Sequence, residues 1–324
     1  LIKFSNIKEK KLEWYDIGNY KNYHFTLNKF EKFNFRKTSE FIYINKNNII
    51  KFINSNSKIK KLINRTKQIK LFPPITRSKK QFIQYKYVKG EILYKLVNRK
   101  NFSKLLNYLN KNLWCDLKKI GIKAICKKFY HKKTLDRINL YFHKYNLKKD
   151  NIKNINKIDV PPIDELLTKV PWNEIYDGIA SKIHGDLHFD NIIFDKKKFT
   201  LIDWREDFGG SVKYGDLYYD FSKLYGGIEM NYDIIKKGKF SYKEKIKKIS
   251  YHFQSRKKLM NKIKTQYEKF LTLNNFSLKK VKIIKCLIHL NMSPLHEYPF
   301  DKLLFSHSKL ELFKVLKEYE YISK

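Results

Sequence analysis

Arginine is scarce in this chain: of 70 basic residues seven are Arg, so the formal net charge of +39 over 324 residues is carried by lysine. The lysines run through nearly every segment together with abundant Asn, Ile, Tyr and Phe, the mixture that A+T-rich codons produce. Bidentate base and phosphate recognition favours Arg, so specific nucleic-acid binding is not expected, although a positive field still attracts anionic molecules such as nucleotides. Cysteine is as sparse. Cys115, Cys126 and Cys286 stand far apart with no Cys-x-x-Cys pair, which argues against a disulfide framework or a zinc cluster and suits a reducing cytoplasm. No apolar run approaches the roughly 18 residues of a membrane span, and the N-terminus has no signal-peptide apolar core. The chain begins at Leu1 rather than Met, which suggests a piece of a longer reading frame.

What remains is long enough for two packed lobes. Residues 1–35 form an N-terminal tail segment, with Trp14-Tyr15-Asp16-Ile17-Gly18-Asn19 ahead of an aromatic helical stretch. From Phe41 the hydrophobic period becomes two: Phe41–Ile44, a polar turn over Asn45–Asn48, then Ile49–Ile53, the pattern of a β-hairpin. A helical spacing over 58–71 ends at Pro73-Pro74, and Phe82–Val88 gives a further strand closed by Gly90. Beyond it, amphipathic helices are predicted over 101–119, 131–146, 242–272, 278–291 and 301–319, with a lysine-rich surface loop at 147–158. Two short strands, Ile192–Phe194 and Phe199–Ile202, interrupt them around the turn Asp195–Lys198.

The most informative string is His184-Gly185-Asp186-Leu187-His188-Phe189-Asp190-Asn191, with Asp203 twelve residues after Asn191 in Leu201-Ile202-Asp203-Trp204. Phosphoryl transfer from a nucleotide needs a group to orient the acceptor hydroxyl, and oxygen ligands for the metal ions that neutralise the phosphates. Asp186 supplies the base in this reading, and Asn191 and Asp203 supply the ligands. A second possibility is that His184, Asp186 and His188, alternating on a strand, bind a hydrolytic metal, but that leaves Asn191 and Asp203 without a role.

The string resembles the catalytic loop of the aminoglycoside phosphotransferases and choline kinases, His-Gly-Asp-x-x-x-x-Asn, matched by His184, Gly185, Asp186 and Asn191, and Ile202-Asp203-Trp204 resembles their metal-binding motif. Tyr85-Lys86-Tyr87-Val88-Lys89-Gly90-Glu91 is similar to the family's interlobe hinge, and Gly215–Phe221 to the helix after its metal loop, with the similarity running over about residues 36–324. The resemblance implies an α+β, bilobal protein-kinase-like fold, with a small β-rich N-lobe over 36–90 and a larger helical C-lobe over 91–324 that carries the catalytic and metal loops. It implies a cytoplasmic kinase that moves the γ-phosphoryl group of ATP, with Mg2+, onto a hydroxyl of a small molecule. Catalytic residues are then Asp186, His184 and His188, with His184 fixing the loop, and metal ligands are Asn191 and Asp203. Lys51, Tyr85, Tyr87 and Val88 bind the nucleotide, and Asp216, sharing a helix face with Asp220, braces the catalytic loop.

Lys51 also follows from strand alternation, which puts it on one face with Ile49 and Ile53. Two features depart from the kinase pattern: residues 52–90 contain no Asp or Glu to orient Lys51 from the expected helix, and the hairpin turn has no Gly to cover phosphates. The first leaves a non-catalytic nucleotide-binding scaffold as the rival. Trp14–Asn19 resembles the C-terminal end of sugar nucleotidyltransferases, and such a fusion would favour a sugar or amino alcohol destined for a cell-surface polysaccharide. Aminoglycosides, as polycations, fit a chain of this charge less well, unless the acidic run Glu206, Asp207, Asp216, Asp220 and Glu229 offsets it.

Overall fold

The computed structural model describes residues 40–322 apart from 46 and 119, and these fall within one compact unit, Phe35–Lys324. The string at Trp14–Asn19 lies outside the described residues.

The strand-rich part follows the hydrophobic alternation. β1 (Glu40–Asn45) and β2 (Asn48–Ile53) form the expected hairpin, with Glu40 opposite Ile53 and Ile42 opposite Lys51. Along β2 alternate side chains point inward, so Ile49, Lys51 and Ile53 are all buried. α1 (Asn56–Gln68) starts where the Ser55 hydroxyl accepts from the Lys58 N–H at 3.3 Å, an N-cap that satisfies one of the orphan donors of the first turn. The sequence reading missed β3 (Ile75–Lys79), which pairs with β4 (Phe82–Lys86) and completes a sheet of order β1-β2-β4-β3. Thr76, Arg77, Ser78 and Lys79 are exposed on this edge strand, so it carries no alternation that a local pattern could detect.

Beyond the two-residue strand β5 (Glu91–Ile92) the chain turns mainly helical. α2 (Arg99–Asn112) is capped by Asn98, and a π-helical stretch over Lys127–Lys132 runs into α3 (Lys133–Lys144). The segment 147–158 is not simply a surface loop. β6 (Asn154–Ile155) and β7 (Ile158–Asp159) form there, because Ile155 pairs in parallel with Ile249, far along the chain. β8 (Ile192–Phe194) and β9 (Phe199–Leu201) make the expected hairpin, and β5 joins it through Ile92 and Ile193. α4 (Leu217–Met230) is buried along almost its whole length.

The predicted helix over 242–272 is corrected. β10 (Phe240–Lys245) and β11 (Lys248–Phe253) form a hairpin there, and only α5 (Lys257–Leu273) is helical. Tyr251 and Phe253 repeat at two residues, not at helical spacing, and Ile246, 90 % exposed, marks the turn, where Lys247 adopts a left-handed φ of 58°. α6 (Leu278–Met292) and α7 (Phe300–Glu318) close the larger part, with α6 against α4 and α7. The described residues form the expected α+β arrangement: α1 with the β1-β2-β4-β3 sheet, followed by a larger, mainly helical part that carries the 184–205 loops and a second four-stranded sheet, of order β10-β11-β6-β7.

Candidate active site

The catalytic string runs through a loop and a short 3-10 turn (Phe189–Asn191) into β8. Gly185 has a φ of 84°, and a Cβ there would meet Arg205 Cβ at 2.6 Å, so both conformation and space require glycine. His184 is fully buried; its Nδ1 accepts from the Asp186 N–H at 3.1 Å and its Nε2 donates to the Ile202 carbonyl at 2.9 Å. Only the neutral Nε2–H tautomer makes both bonds, in keeping with burial, which lowers the pKa of the ring. His184 therefore ties the catalytic loop to the loop of Asp203 and has no side-chain nitrogen left for chemistry.

Asp186 is partly open to solvent. Its Oδ1 accepts from Lys223 Nζ at 2.7 Å, and its Oδ2 is 3.5 Å from Asn191 Nδ2. Asn191 Nδ2 donates to the Asp186 carbonyl at 2.9 Å, which leaves the amide oxygen as the acceptor of that side chain. His188 Nε2 is 3.2 Å from Asn191 Nδ2 and 3.8 Å from Asp186 Oδ2, and burial holds the imidazole down at about 4. It is neutral at physiological pH. Asp203 follows β9 in a left-handed conformation, φ 56°, which is uncommon for a residue with a Cβ, and its carboxylate is 37 % exposed.

Lys51 Nζ donates to Asp203 Oδ1 and lies 3.2 Å from Glu40 Oε2. Burial opposes the charge on this ammonium, but the Asp203 and Glu40 carboxylates outweigh it and raise its pKa. The acidic partner missing from 52–90 is thus supplied by a strand, not by the helix, and the argument for a non-catalytic scaffold loses its motive. Hairpin register explains the reach: Glu40 opposes Ile53, on the face that Lys51 shares, so the two side chains are diagonal neighbours.

Residues 163–237 match the phosphotransferase enzyme family.

The phosphotransferase match spans Asp186, Asn191, Asp203 and α4, where the sequence resembles the aminoglycoside phosphotransferases and choline kinases. No curated protein matches the chain. Among solved structures it is similar to a gentamicin complex of APH(2″)-IIa, with 14 % identity and a TM-score of 0.47 over 91 % of this chain and 95 % of that one. An ethanolamine kinase of Plasmodium vivax is 12 % identical, TM-score 0.47, over 92 % of this chain and 91 % of that one. A choline/ethanolamine kinase family protein of Mesorhizobium loti is 8 % identical, TM-score 0.42, with 88 % of each chain covered.

Within the matched segment one role moves. Asp220, not Asp216, braces the catalytic loop: its carboxylate accepts from the N–H groups of His184 and Gly185, both at 2.7 Å, and from the Trp114 indole at 3.3 Å. Asp216 is the N-cap of α4, accepting from Tyr218 N–H at 3.2 Å, from Ile179 N–H at 2.9 Å and from the Tyr130 hydroxyl at 2.7 Å. As a cap it precedes the first helical turn and shares no face with Asp220. Asp220→Ala leaves two backbone donors and an indole buried without an acceptor, and is expected to cost about 2–4 kcal/mol of stability in urea unfolding. A loss under about 0.5 kcal/mol would contradict the bracing role.

The predicted hinge residues are not equivalent. Tyr85, on β4, is buried with its ring 6.2 Å from that of Trp204 beside Asp203, and burial pushes its hydroxyl up to about 12. Tyr87 is 46 % exposed and its N–H donates to the Asn47 carbonyl at 2.8 Å; Val88 is half-buried beyond the end of the strand. Two further residues at the site have roles that the sequence reading did not assign. Lys223 lies three residues after Asp220 on α4, so one helix face offers a carboxylate to the loop backbone and an ammonium to Asp186. Arg65, on α1 and buried, donates to the carbonyls of Arg205, at 2.7 Å, and Ile183, and so fastens α1 onto both loops.

Proposed function

We propose that the chain is a small-molecule kinase that transfers the γ-phosphoryl group of ATP to a hydroxyl of a small acceptor, with Asp186 as the base. The observation that carries this reading is the convergence of Lys51, Asp203, Asn191 and Asp186, drawn from a strand and two loops onto one place. In this reading Lys51 Nζ holds nucleotide phosphate. Asp186 accepts a hydrogen bond from the acceptor hydroxyl and takes its proton as the oxygen attacks, and Lys223 orients that carboxylate. Tyr85, Tyr87 and Val88 border the nucleotide, and His184 and His188 support the loop.

Asp203 and the Asn191 amide oxygen are the ligands offered to magnesium. Oxygen ligands suit a hard cation, and among the described residues no group of three or more His, Cys, Asp or Glu could hold a metal alone. Such a donor set fits an ion that completes its shell with water and substrate phosphates, and magnesium there would neutralise phosphate charge. Incubating the chain with magnesium, ATP and a panel of sugars, amino alcohols and hydroxy acids should give acceptor-dependent ADP release. No nucleotide turnover with any acceptor, despite tight nucleotide binding, would instead support the scaffold reading.

Lys51→Ala should raise the apparent nucleotide KM and lower kcat together, because the charge is lost from a dehydrated site that touches both ground and transition states. Lys51→Arg should rescue neither fully, since a planar guanidinium does not replace a compact ammonium between two carboxylates. Unchanged kinetics in both variants, with unchanged thermal melts, would reject this role.

A further inference from the structure

The acidic run after the metal loop is already engaged. Glu206 lies 3.7 Å from Lys58, Asp207 pairs with Lys61 at 2.6 Å, and Glu229 with Lys264 and Lys285 at 2.7 and 2.8 Å. Asp216 and Asp220 are buried and bonded to backbone N–H groups. Of the cations beside Asp186, two are not paired in this way. The Arg205 side chain packs against Gly185, with its guanidinium 5.2 Å from the centroid of the Phe129 ring, and Lys133 Nζ lies 4.2 Å from the same ring. Arg137 follows Lys133 by one turn of α3 and so shares its face.

Among the described residues neither Lys133 nor Arg137 makes an ion pair, and Arg205 Nε is buried without a hydrogen-bond acceptor. Burial, then Arg205, Arg137 and Lys223, push the Lys133 ammonium down to about 6. From the far side α6 closes on the same place: Asn291 Nδ2 bonds Thr134 Oγ1 at 3.0 Å while its Oδ1 is buried and unpaired, and Met292 Sδ is 3.8 Å from Lys223 Nζ. Three helices and the metal loop thus bring Lys133, Arg137 and Arg205 to one position next to Asp186, where, among the described residues, Lys133 and Arg137 have no ion pair and the Arg205 Nε has no hydrogen-bond acceptor.

We propose that the acceptor carries an anionic group, a carboxylate or a phosphate, held by Lys133, Arg137 and Arg205 while its hydroxyl faces Asp186. The proposal rests on the kinase reading and narrows it: the acceptor is a hydroxy acid or a phosphorylated alcohol rather than an amino alcohol or aminoglycoside. A bound anion would answer the repulsion among these side chains and restore the proton to Lys133.

Equilibrium binding of four three-carbon alcohols tests it: glycerate, glycerol 3-phosphate, glycerol and the amine serinol, each added to the chain saturated with magnesium and a non-hydrolysable ATP analogue. At least one of the two anions should bind about tenfold or more tightly than glycerol and serinol. Which anion gains more separates carboxylate from phosphate. Lys133→Ala and Arg137→Ala should each erase most of that margin and leave affinity for the ATP analogue unchanged. No margin for either anion, preference for serinol, or a margin that survives in both variants would overturn the proposal, as would an equal loss of nucleotide affinity. Failure of the wild-type chain to bind the ATP analogue would count against the kinase reading itself.

Discussion

Asp186→Asn should lower turnover by about 10²–10⁴-fold while nucleotide affinity stays nearly unchanged, the usual effect of removing a positioned proton acceptor. The contacts of Asp186 explain why Asn is the sharper substitution. Lys223 Nζ is buried and held at 2.7 Å by the Asp186 carboxylate, and although burial opposes its charge, Asp186 raises its pKa. An Ala variant would leave that ammonium buried beside the thioether of Met292, so part of any loss would reflect local rearrangement. Asn keeps an oxygen for Lys223 and removes the basic one. Near-wild-type turnover in Asp186→Asn, at unchanged melting temperature, would remove Asp186 from the chemistry.

Asp203→Ala is expected to abolish magnesium-dependent nucleotide binding, whereas Asn191→Ala should be milder, because Asp203 brings a charge and Asn191 a neutral oxygen. Loss of Asp203 also takes one of two carboxylates from Lys51, leaving Glu40 as its counter-charge. The ammonium then turns toward Glu40, and the nucleotide loses a metal ligand and a well-directed cation together. Calorimetric titration of nucleotide with and without magnesium separates these effects. If magnesium still strengthens binding in Asp203→Ala to the wild-type extent, the metal ligand lies elsewhere.

What was legible in the sequence was what local chemistry encodes. The β1–β2 hairpin follows from alternation and turn residues, and His184, Asp186, Asn191 and Asp203 stand out through the resemblance of their strings to a known catalytic loop and metal motif. The rest depends on tertiary neighbours. β6 and β7 exist because β11 offers an edge to pair with, and edge strand β3 exposes four of its five residues, so neither leaves a hydrophobic period. Glu40 was overlooked because the search for a partner of Lys51 was confined to the segment after it, although hairpin register already places Glu40 on the same face. Asp216 and Asp220 were exchanged for a similar reason: four residues apart they look alike, and only the position of the helix start makes the first a cap and the second a brace. The cationic position was hidden by abundance. In a chain with 70 basic residues, Lys133 and Arg137 stand out only once the fold brings them beside Arg205.

The most direct test of the central claim is phosphorus NMR of the wild-type chain and of Asp186→Asn, each incubated with magnesium, ATP and a mixed panel of small hydroxyl compounds that includes hydroxy acids. The account predicts a new phosphomonoester resonance that grows one for one with ADP in the wild type and is lost, to within about 1 % of the wild-type rate, in Asp186→Asn. ATP consumption that is equal in the two proteins, or a wild-type chain that binds ATP and forms no phosphomonoester from any compound, would contradict it.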